Sequence, residues 1–383
     1  MKSSLRTMKA NYLHWRKYSE IEQSLVKASK SNQNRSGILI GPANSAGQAK
    51  AWARALTQTG HPSHSIRVTR DQQAELFDAD FFISEEERKS KKRMSELGHT
   101  LFTRHSGYLM ESLTPLFGFR RRAGFLPVHA IDGLRLLRRM HMKVGVVFHG
   151  SDIRNVDNHV RRHKFSPFRH QRPELDALRL RSNKIREQIP TLDRLGIPYF
   201  ISTVDLFVDA PNATWLPVVI DTKTFNAVAD GSPIFTAQKL RVLYLPSRSW
   251  IKSADEIVPV LEKLRDEGLI EYKDWLSQGR VDASRVPDIL AQSDIVIDQF
   301  IGGIGVFALE SLAAGRIVMT YLPDELKKYP HPPVINITPE TLESDLRKIA
   351  TERIAPIGGI EFVQKWHSGN ESARILIERL GLE

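Results

Sequence analysis

One stretch in the second half of the chain carries a strand, a glycine-rich turn and a helix in close succession: Ser293-Asp-Ile-Val-Ile-Asp-Gln-Phe-Ile-Gly-Gly-Ile-Gly-Val-Phe-Ala-Leu-Glu-Ser-Leu-Ala-Ala-Gly-Arg-Ile-Val318. The apolar run within residues 294–298 predicts a buried strand, and residues 305–314 predict a helix that begins after the glycines. A turn of this kind offers backbone N–H groups and the positive end of a helix dipole to an anion. The stretch therefore predicts a phosphate-binding turn in an α/β domain.

A dinucleotide site is the alternative interpretation of the same turn. Gly303-Ile-Gly305-Val-Phe-Ala308 fits the pattern G-x-G-x-x-A, and Glu325 follows at roughly the distance of the acidic residue in that pattern. A dinucleotide-binding enzyme uses its first strand, turn and helix for this purpose, whereas this turn comes late in the chain. Phosphate binding is thus favoured over NAD binding.

The alternation of strands and helices continues in both directions from this stretch. Apolar strands separated by helices are typical of parallel sheets that are covered on both faces. Strands are predicted at 37–41, 65–68, 80–83, 99–102, 144–148, 240–245, 269–272, 294–298, 317–322 and 334–337, and helices at 48–56, 130–140, 254–264, 286–291, 305–314, 341–350 and 372–380.

The segment Ala229-Asp-Gly-Ser-Pro233 has the composition of a linker and separates two α/β series, which predicts a hinge near residues 221–235. Two doubly wound sheets place a cleft at the carboxyl ends of their strands. We therefore predict two Rossmann-like domains that face each other across a cleft. The predicted boundaries are 1–35 for a basic leader, 36–220 and 221–360 for the two domains, and 361–383 for a helical segment that packs back on the first domain.

The composition excludes several classes of protein. The 383 residues include no cysteine, which excludes disulfide scaffolds, thiolate zinc sites, iron–sulfur clusters and cysteine nucleophiles. No run approaches the roughly 20 apolar residues that span a bilayer, and the chain does not open with a signal peptide. We expect a cytoplasmic protein.

The chain carries 55 Lys and Arg against 44 Asp and Glu, a net charge of +11, with basic clusters in residues 1–35, 89–93, 120–122 and 161–164. Solvated surfaces and a loose tail explain such clusters, and so does contact with an anionic membrane surface at the inner face or with a phosphate-bearing substrate. A nucleic acid would also be attracted, but no zinc finger, RRM, KH or helix-turn-helix signature accompanies the charge. We expect no specific nucleic-acid partner.

A possible metal pair is found in His159-Val-Arg-Arg-His163, which has the spacing of two ligands on one helix face. No glutamate lies between the histidines, and the charges of Arg161, Arg162 and Lys164 oppose a divalent cation. We expect a surface or substrate-facing pair, and we expect no metal and no cofactor.

Hydrolase and nucleotide-triphosphatase motifs are missing. Gly41-Pro-Ala-Asn-Ser-Ala-Gly47 is followed by Gln48 and Ala49, so the lysine and hydroxyl of a P-loop are not there. The sequence also contains no G-x-S-x-G nucleophile elbow.

The stretch from Ser293 to Val318 resembles the donor-binding segment of GT-B glycosyltransferases, in particular of the retaining glycosyltransferase family four. That family shows a strand, a glycine-rich loop and a helix that read roughly E-G-F-G-x-x-x-L-E-A-M-A-x-G-x-P-V. The residues in register with this pattern are Gly303, Gly305, Glu310, Ala313 and Gly315.

Four further segments resemble the same family in the expected order, so the resemblance covers about residues 36–325. Asn44 and Gly47 resemble the first loop, and Val146-Val-Phe-His-Gly-Ser-Asp152 resembles a strand followed by H-G-x-D. Leu243-Tyr-Leu-Pro-Ser-Arg-Ser-Trp-Ile-Lys252 resembles the strand and basic loop at the donor diphosphate. Residues 279–294 resemble the segment beside the nucleotide base.

The resemblance implies a role for each matching residue. His149 would contact the donor sugar or the reacting centre, Asp152 would orient it or cap the following turn, and Arg248 and Lys252 would bind the diphosphate. Taken singly, His149 fits a core histidine, Lys252 a surface lysine and Glu310 an exposed helix carboxylate. The implied site comprises catalytic His149, Asp152, Arg248 and Lys252, donor-binding Ser247, Val281, Asp298, Gly303, Ile304, Gly305, Val306 and Glu310, and acceptor-loop Asn44 and Gly47.

One position departs from the family pattern. The family carries two glutamates eight positions apart, one near the donor sugar and one on the ribose, whereas this chain has Gly302 at the first position and Glu310 at the second. Sugar hydroxyls would then rely on backbone N–H groups of Gly303 and Ile304, or on Asp298 or Gln299. We expect Gly302→Glu to change donor preference or block the site without unfolding the protein.

The predicted function is transfer of a sugar from a nucleotide-sugar donor to an unknown sugar, lipid-linked or polymer acceptor, with retention of configuration and without metal. A GT-B sugar-nucleotide epimerase shares fold and donor site and stays open, as does a catalytically inactive sugar-nucleotide-binding module.

Overall fold

A computed structural model describes residues 35–69, 77–87, 90–116, 130–277 and 281–382. Most of the basic leader and the basic cluster at 120–122 lie outside these residues, as does part of the cluster at 89–93. Within the described ranges, no helix is long and apolar enough to cross a membrane.

The chain divides into two compact units. One comprises Met1–Val147, Pro190–Tyr199 and Ile375–Glu383, and the other comprises Phe148–Ile189 and Phe200–Arg374. Residues 148–189 and 200–220, assigned from sequence to the first domain, thus group with the unit that holds the predicted donor residues. The functional boundaries at 220 and 360 stay a prediction.

The first sheet has seven strands in the order β3-β2-β1-β4-β5-β6-β7. The pairs β1 with β2 and β4, β2 with β3, β4 with β5, and β6 with β7 are parallel. Parallel neighbours cannot be joined by a hairpin, so each of these pairs requires a crossover connection. The strands are β1 Ile38–Gly41, β2 His64–Thr69, β3 Phe81–Ser84, β4 Gly107–Glu111, β5 Lys143–Phe148, β6 Tyr199–Ile201 and β7 Thr214–Trp215.

The second sheet has five parallel strands in the order β12-β11-β10-β8-β9. The central strands are buried on both faces, which explains why they read as continuous apolar runs. The strands are β8 Leu240–Tyr244, β9 Ile270–Tyr272, β10 Ile295–Ile297, β11 Ile317–Thr320 and β12 Ile335–Asn336.

The helices connect the strands of both sheets. In the first half they are α1 Gln48–Gln58, α2 Lys91–Arg104, α3 Ala130–Arg139, α4 Gly150–Ile153, α5 Val156–Arg162, α6 Pro173–Arg186 and α7 Ile189–Leu195. In the second half they are α8 Thr222–Gly231, α9 Ala254–Asp266, α10 Val286–Ala291, α11 Val306–Ala313, α12 Leu342–Glu352, α13 Gly359–His367 and α14 Asn370–Leu380.

The five-stranded sheet separates two apolar cores because successive side chains of a strand point to opposite faces. On β8, Val242 and Tyr244 pack in one core with Leu261 of α9, whereas Leu243 packs in the other core with Leu309 of α11. Both faces of this sheet are therefore covered, as a doubly wound α/β domain requires. The prediction of two parallel α/β sheets is confirmed.

The predicted strand at 99–102 is wrong, because these residues belong to helix α2. Ser90 caps this helix by accepting a hydrogen bond from the Arg93 N–H. A short apolar run fits a strand and a buried helix equally well. Here Leu97 and Leu101 have helical spacing, which the intervening Gly98 obscured.

Strand β4 was missed, although all five of its residues are buried. It carries only three large apolar residues and ends on Glu111, so its pattern is weak. The predicted linker is also wrong in part, because Ala229–Gly231 form the last turn of α8. The pairing of β4 with its neighbours and the packing of α8 are tertiary features, and the local composition of these segments does not indicate them.

Candidate functional site

The glycine-rich turn joins β10 to α11, as the sequence predicted. Gly305 is the N-cap of α11. The Gly303 carbonyl accepts hydrogen bonds from Gln299 Nε2 at 3.0 Å and from Thr320 Oγ1 at 3.4 Å. These bonds fix the turn at the helix N-terminus, where the first N–H groups have no partner within the helix.

Gly302 lies beside the site rather than in it. It is buried, with a positive φ of 83°, and a Cβ there would lie 3.3 Å from Pro323 Cδ and 3.7 Å from His163 Cε1. A side chain at residue 302 would therefore strain the backbone, and its Cβ would point toward the rings of Pro323 and His163. The expectation that Gly302→Glu leaves the fold intact is not supported, and we now expect it to destabilise the protein.

A cavity of about 300 Å³ lies in front of the turn, within the unit formed by residues 148–189 and 200–374. Six of the predicted site residues line it: Ser247, Arg248, Lys252, Gly303, Ile304 and Gly305. It is also lined by Gly150, Ser151, Arg154, Thr203, Asp205 and Gln299. The loop after β8 and the turn after β10 thus converge at one edge of the sheet.

Lys252 forms a buried ion pair with Asp298. Its Nζ contacts Asp298 Oδ1, and the exposed fractions of the two side chains are 17% and 2%. The second carboxylate oxygen accepts a hydrogen bond from the Gly305 N–H at 3.1 Å. Asp298 therefore contacts both a predicted diphosphate-binding cation and a predicted diphosphate-binding N–H group.

His149 and Asp152 lie at the start of α4, directly after β5. The Asp152 carboxylate accepts a hydrogen bond from the His149 backbone N–H at 2.8 Å and pairs with Arg181 Nη2 at 3.1 Å. His149 Nδ1 lies 3.2 Å from Ser202 Oγ. Asp152 thus caps the turn, which was one of the two roles that the sequence allowed, while a role of His149 in the reaction stays a prediction.

Glu310, Val306 and Val281 are not among the described residues that line the cavity. Val281 and Val306 pack against the apolar core that contains Leu243. Glu310 as a whole is half-buried, but the loss of water around its carboxyl group raises the pKa of that group to about 8. Contacts of these three residues with a donor stay a prediction.

The pKa of Glu310 makes a prediction about stability. In the unfolded chain this carboxyl ionises near 4.5, whereas the folded chain keeps the proton until about pH 8. The folded chain therefore binds this proton more tightly than the unfolded chain does. Glu310 lowers the free energy of unfolding progressively as the pH rises from 4.5 toward 8, and it has no such effect below pH 4.5. Glu310→Gln should remove this pH dependence, which amounts to a loss of at most about 1.4 kcal/mol in the free energy of unfolding per pH unit.

Urea unfolding of wild type and Glu310→Gln, at a series of pH values between these limits, measures the difference. We expect the variant to gain stability relative to wild type as the pH rises. Parallel pH profiles for the two proteins would contradict the raised pKa.

Glu111 is hydrogen-bonded to the backbone of the predicted acceptor loop. The buried carboxylate of Glu111 accepts hydrogen bonds from the backbone N–H groups of Ala43, Asn44 and Ser45 at 2.9, 2.6 and 3.1 Å. The Asn44 side chain is buried and donates to the Asp78 carbonyl. These contacts give Asn44 a structural role, and acceptor binding at Asn44 and Gly47 stays a prediction.

His159 and His163 are not a surface pair, because both are buried. His159 Nδ1 lies 2.8 Å from Ser166 Oγ and its Nε2 lies 2.7 Å from the Ile301 carbonyl. Burial, together with nearby cations, lowers the pKa of His159 to about 2. The described residues contain no group of three or more His, Asp or Glu that could hold a metal ion.

Arg154 and Asp205 form an ion pair in the cavity wall that the sequence analysis missed. Arg154 Nη2 contacts Asp205 Oδ2, and only 11% and 10% of the two side chains are exposed. Asp205 follows β6, a three-residue strand that was not predicted. Recognition of that strand would have been the signal, since side chains beyond the carboxyl ends of parallel strands face ligands.

The two parallel α/β sheets and the cavity at the carboxyl ends of the second sheet are features of the GT-B fold of glycosyltransferases. Among solved structures, sucrose-phosphate synthase from Thermosynechococcus elongatus is similar, with a TM-score of 0.53 and 12% identity over 90% of this chain and 98% of that chain. The predicted GT-B fold is confirmed.

Two further solved structures are similar to this chain. HepE from Anabaena, in complex with UDP and glucose, has a TM-score of 0.48 and 11% identity over 91% of this chain and 96% of that chain. WaaG, a glycosyltransferase involved in lipopolysaccharide biosynthesis, has a TM-score of 0.42 and 14% identity over 89% and 95%. No protein-family model and no curated protein sequence matches this chain.

Proposed function

We propose that this protein is a glycosyltransferase that moves a sugar from a nucleotide-sugar donor to an acceptor, with retention of configuration and without a metal or other cofactor. The observation that carries the proposal is the convergence of Lys252, Arg248 and the N-terminus of α11 on one cavity in a GT-B fold. Retention follows from the resemblance to family four. An acceptor on the first domain and a contact of basic surfaces with anionic lipid belong to the same proposal.

The chemistry explains why these groups suit a nucleotide-sugar. When the sugar leaves, negative charge grows on the diphosphate, and positioned donors that meet this charge lower the barrier. Loss of one such donor costs about 3–4 kcal/mol in a well-formed site. Lys252, Arg248 and the N–H groups of the turn would supply these donors, while Glu310 would accept hydrogen bonds from ribose hydroxyls and His149 would face the sugar.

Thermal-shift measurements with UDP, GDP, ADP and CMP test nucleotide binding, because a ligand that binds only the folded protein raises its apparent stability. Turnover with the stabilising nucleotide's sugar conjugate should then survive EDTA, and NMR of the product's anomeric proton should show retention. No shift with any nucleotide would contradict the proposal. Loss of turnover on chelation, restored by manganese, would contradict the metal-free mechanism.

The alternatives predict different results in the same assays. An epimerase would interconvert its sugar nucleotide without an acceptor. An inactive binding module would bind nucleotide but show no turnover across a panel of donors and acceptors. A nucleic-acid binder would show an affinity for nucleic acid that falls steeply with salt.

Asp298 should limit the affinity for the donor. Its carboxylate contacts Lys252 and the Gly305 N–H, so a diphosphate has to replace it at these groups or lie beside a like charge. Asp298→Asn removes that charge and keeps an oxygen for the Gly305 N–H. Calorimetry should show an affinity for nucleoside diphosphate that rises about tenfold, a change of about 1.4 kcal/mol.

The matched control is Asp255→Asn, which removes an exposed carboxylate that pairs with Arg172 and does not line the described cavity. It should leave nucleotide affinity unchanged. A weaker affinity in Asp298→Asn would show that this carboxylate supports the ligand rather than competing with it.

A further inference from the structure

Two side chains in the cavity wall have an oxygen atom without a hydrogen-bond partner among the described residues. These atoms are Asp205 Oδ1 and Thr203 Oγ1, and both are buried. Buried polar atoms are nearly always paired, so two neighbouring exceptions indicate that a partner is supplied from outside the chain. Both residues line the 300 Å³ cavity that holds Lys252.

The same two residues also line an adjoining cavity of about 40 Å³. The two cavities share four residues in all, namely Thr203, Asp205, Gly303 and Ile304. Thr203 and Asp205 therefore lie where the two cavities adjoin, together with Gly303 and Ile304 of the glycine-rich turn.

The contacts of Asp205 define what kind of group it can bind. One oxygen, Oδ2, is paired with Arg154, so the pair as a whole is neutral. The other oxygen keeps its capacity to accept a hydrogen bond. A neutral hydroxyl suits this position, whereas a second anion would face the carboxylate. The Thr203 hydroxyl can donate or accept beside it.

Gly303 leaves the space that this contact needs. A Cβ at residue 303 would lie 3.1 Å from Asp205 Oδ1, closer than an ordinary contact. A methyl group at residue 303 would obstruct an approach to this oxygen without changing any charge.

We propose that Asp205 accepts a hydrogen bond from a hydroxyl group of the donor sugar, with Thr203 beside it, and that this contact selects the sugar. The inference rests on the function proposed above, because Lys252 in the same cavity would hold the diphosphate to which that sugar is attached.

The test compares nucleoside diphosphates with their sugar conjugates by calorimetry, with UDP, GDP and ADP and the three corresponding glucose conjugates as probes. In Asp205→Asn the amide still accepts from Arg154 but presents an N–H group to the sugar. We expect affinity for the glucose conjugate to fall about tenfold or more, while affinity for the diphosphate changes less than about twofold.

Thr203→Val is the second variant: it removes the Thr203 hydroxyl without changing any charge, and it should lower affinity for the conjugate more than affinity for the diphosphate if Asp205→Asn fails to fold. Asp209→Asn is the matched control. Asp209 is also a largely buried carboxyl near Arg154 but is not among the described residues that line either cavity, so its variant should keep both affinities.

The two proposals fail in different ways. If wild type binds none of the probes, the proposed donor function is contradicted, and the inference with it. If wild type binds a conjugate and both variants keep the wild-type ratio of affinities, the contact between Asp205 and the sugar is refuted while nucleotide binding stands.

Discussion

Lys252→Ala should reduce kcat of the proposed transfer by about 10²–10³-fold, because it removes the cation that would meet the charge growing on the leaving diphosphate. The variant should also lose stability. Asp298 is almost completely buried, and without Lys252 its carboxylate keeps the Gly305 N–H but loses its counter-ion. Removing one partner of a buried ion pair costs about 3–5 kcal/mol.

A double variant separates the two effects. Lys252→Ala with Asp298→Asn leaves no unpaired charge, so stability should return toward the wild-type value while kcat stays low. Lys263→Ala is the control, since Lys263 pairs with Glu343 on an exposed surface. Full activity in the double variant would show that Lys252 acts only by pairing with Asp298.

Arg154→Met should lower the free energy of unfolding by about 3–5 kcal/mol, because it leaves Asp205 buried without its counter-ion. The Arg154–Asp205 pair is about nine-tenths buried on both sides. Urea unfolding, followed at constant pH, measures the change. Arg172→Met removes an exposed ion pair with Asp255 and should cost less than about 1 kcal/mol.

The double variant Arg154→Met with Asp205→Leu should recover most of the lost stability, since apolar residues of similar volume often replace a buried ion pair at little cost. It should not recover discrimination between a nucleoside diphosphate and its sugar conjugate. An Arg154→Met variant as stable as wild type would show that the pair is hydrated in solution.

The segments best predicted from the sequence are those whose structure follows from local signals in their own residues. Helix α10 has the predicted bounds, and β10, the glycine-rich turn and α11 follow within a residue or two. Their spacing and glycines are local signals. The strand at 99–102 failed because the same short apolar run is compatible with a helix, and only the packing of Leu101 and Phe102 decides between them.

Some residues of the candidate site were predicted from the sequence, whereas the ion pairs of the site were found only in the structure. Gly303–Gly305 were found from the spacing of glycines between a predicted strand and a predicted helix, whereas Lys252 was found from the resemblance of residues 243–252 to the family's basic loop. The pairing of Lys252 with Asp298 joins residues 46 positions apart, and that of Arg154 with Asp205 joins residues 51 positions apart. No local pattern specifies which of several charges a folded chain brings together.

The sequence by itself determined the α/β class and the glycine-rich turn between β10 and α11, because hydrophobic periodicity and glycine placement act over a few residues. Only the tertiary structure decided that a Cβ at Gly302 would meet Pro323 and that Glu111 accepts hydrogen bonds from the backbone of the first loop. It also decided that Asp205 Oδ1 has no hydrogen-bond partner among the described residues. These features depend on which distant side chains share a buried volume. Burial sets the cost of an unpaired charge or oxygen, and burial is a property of the packed fold.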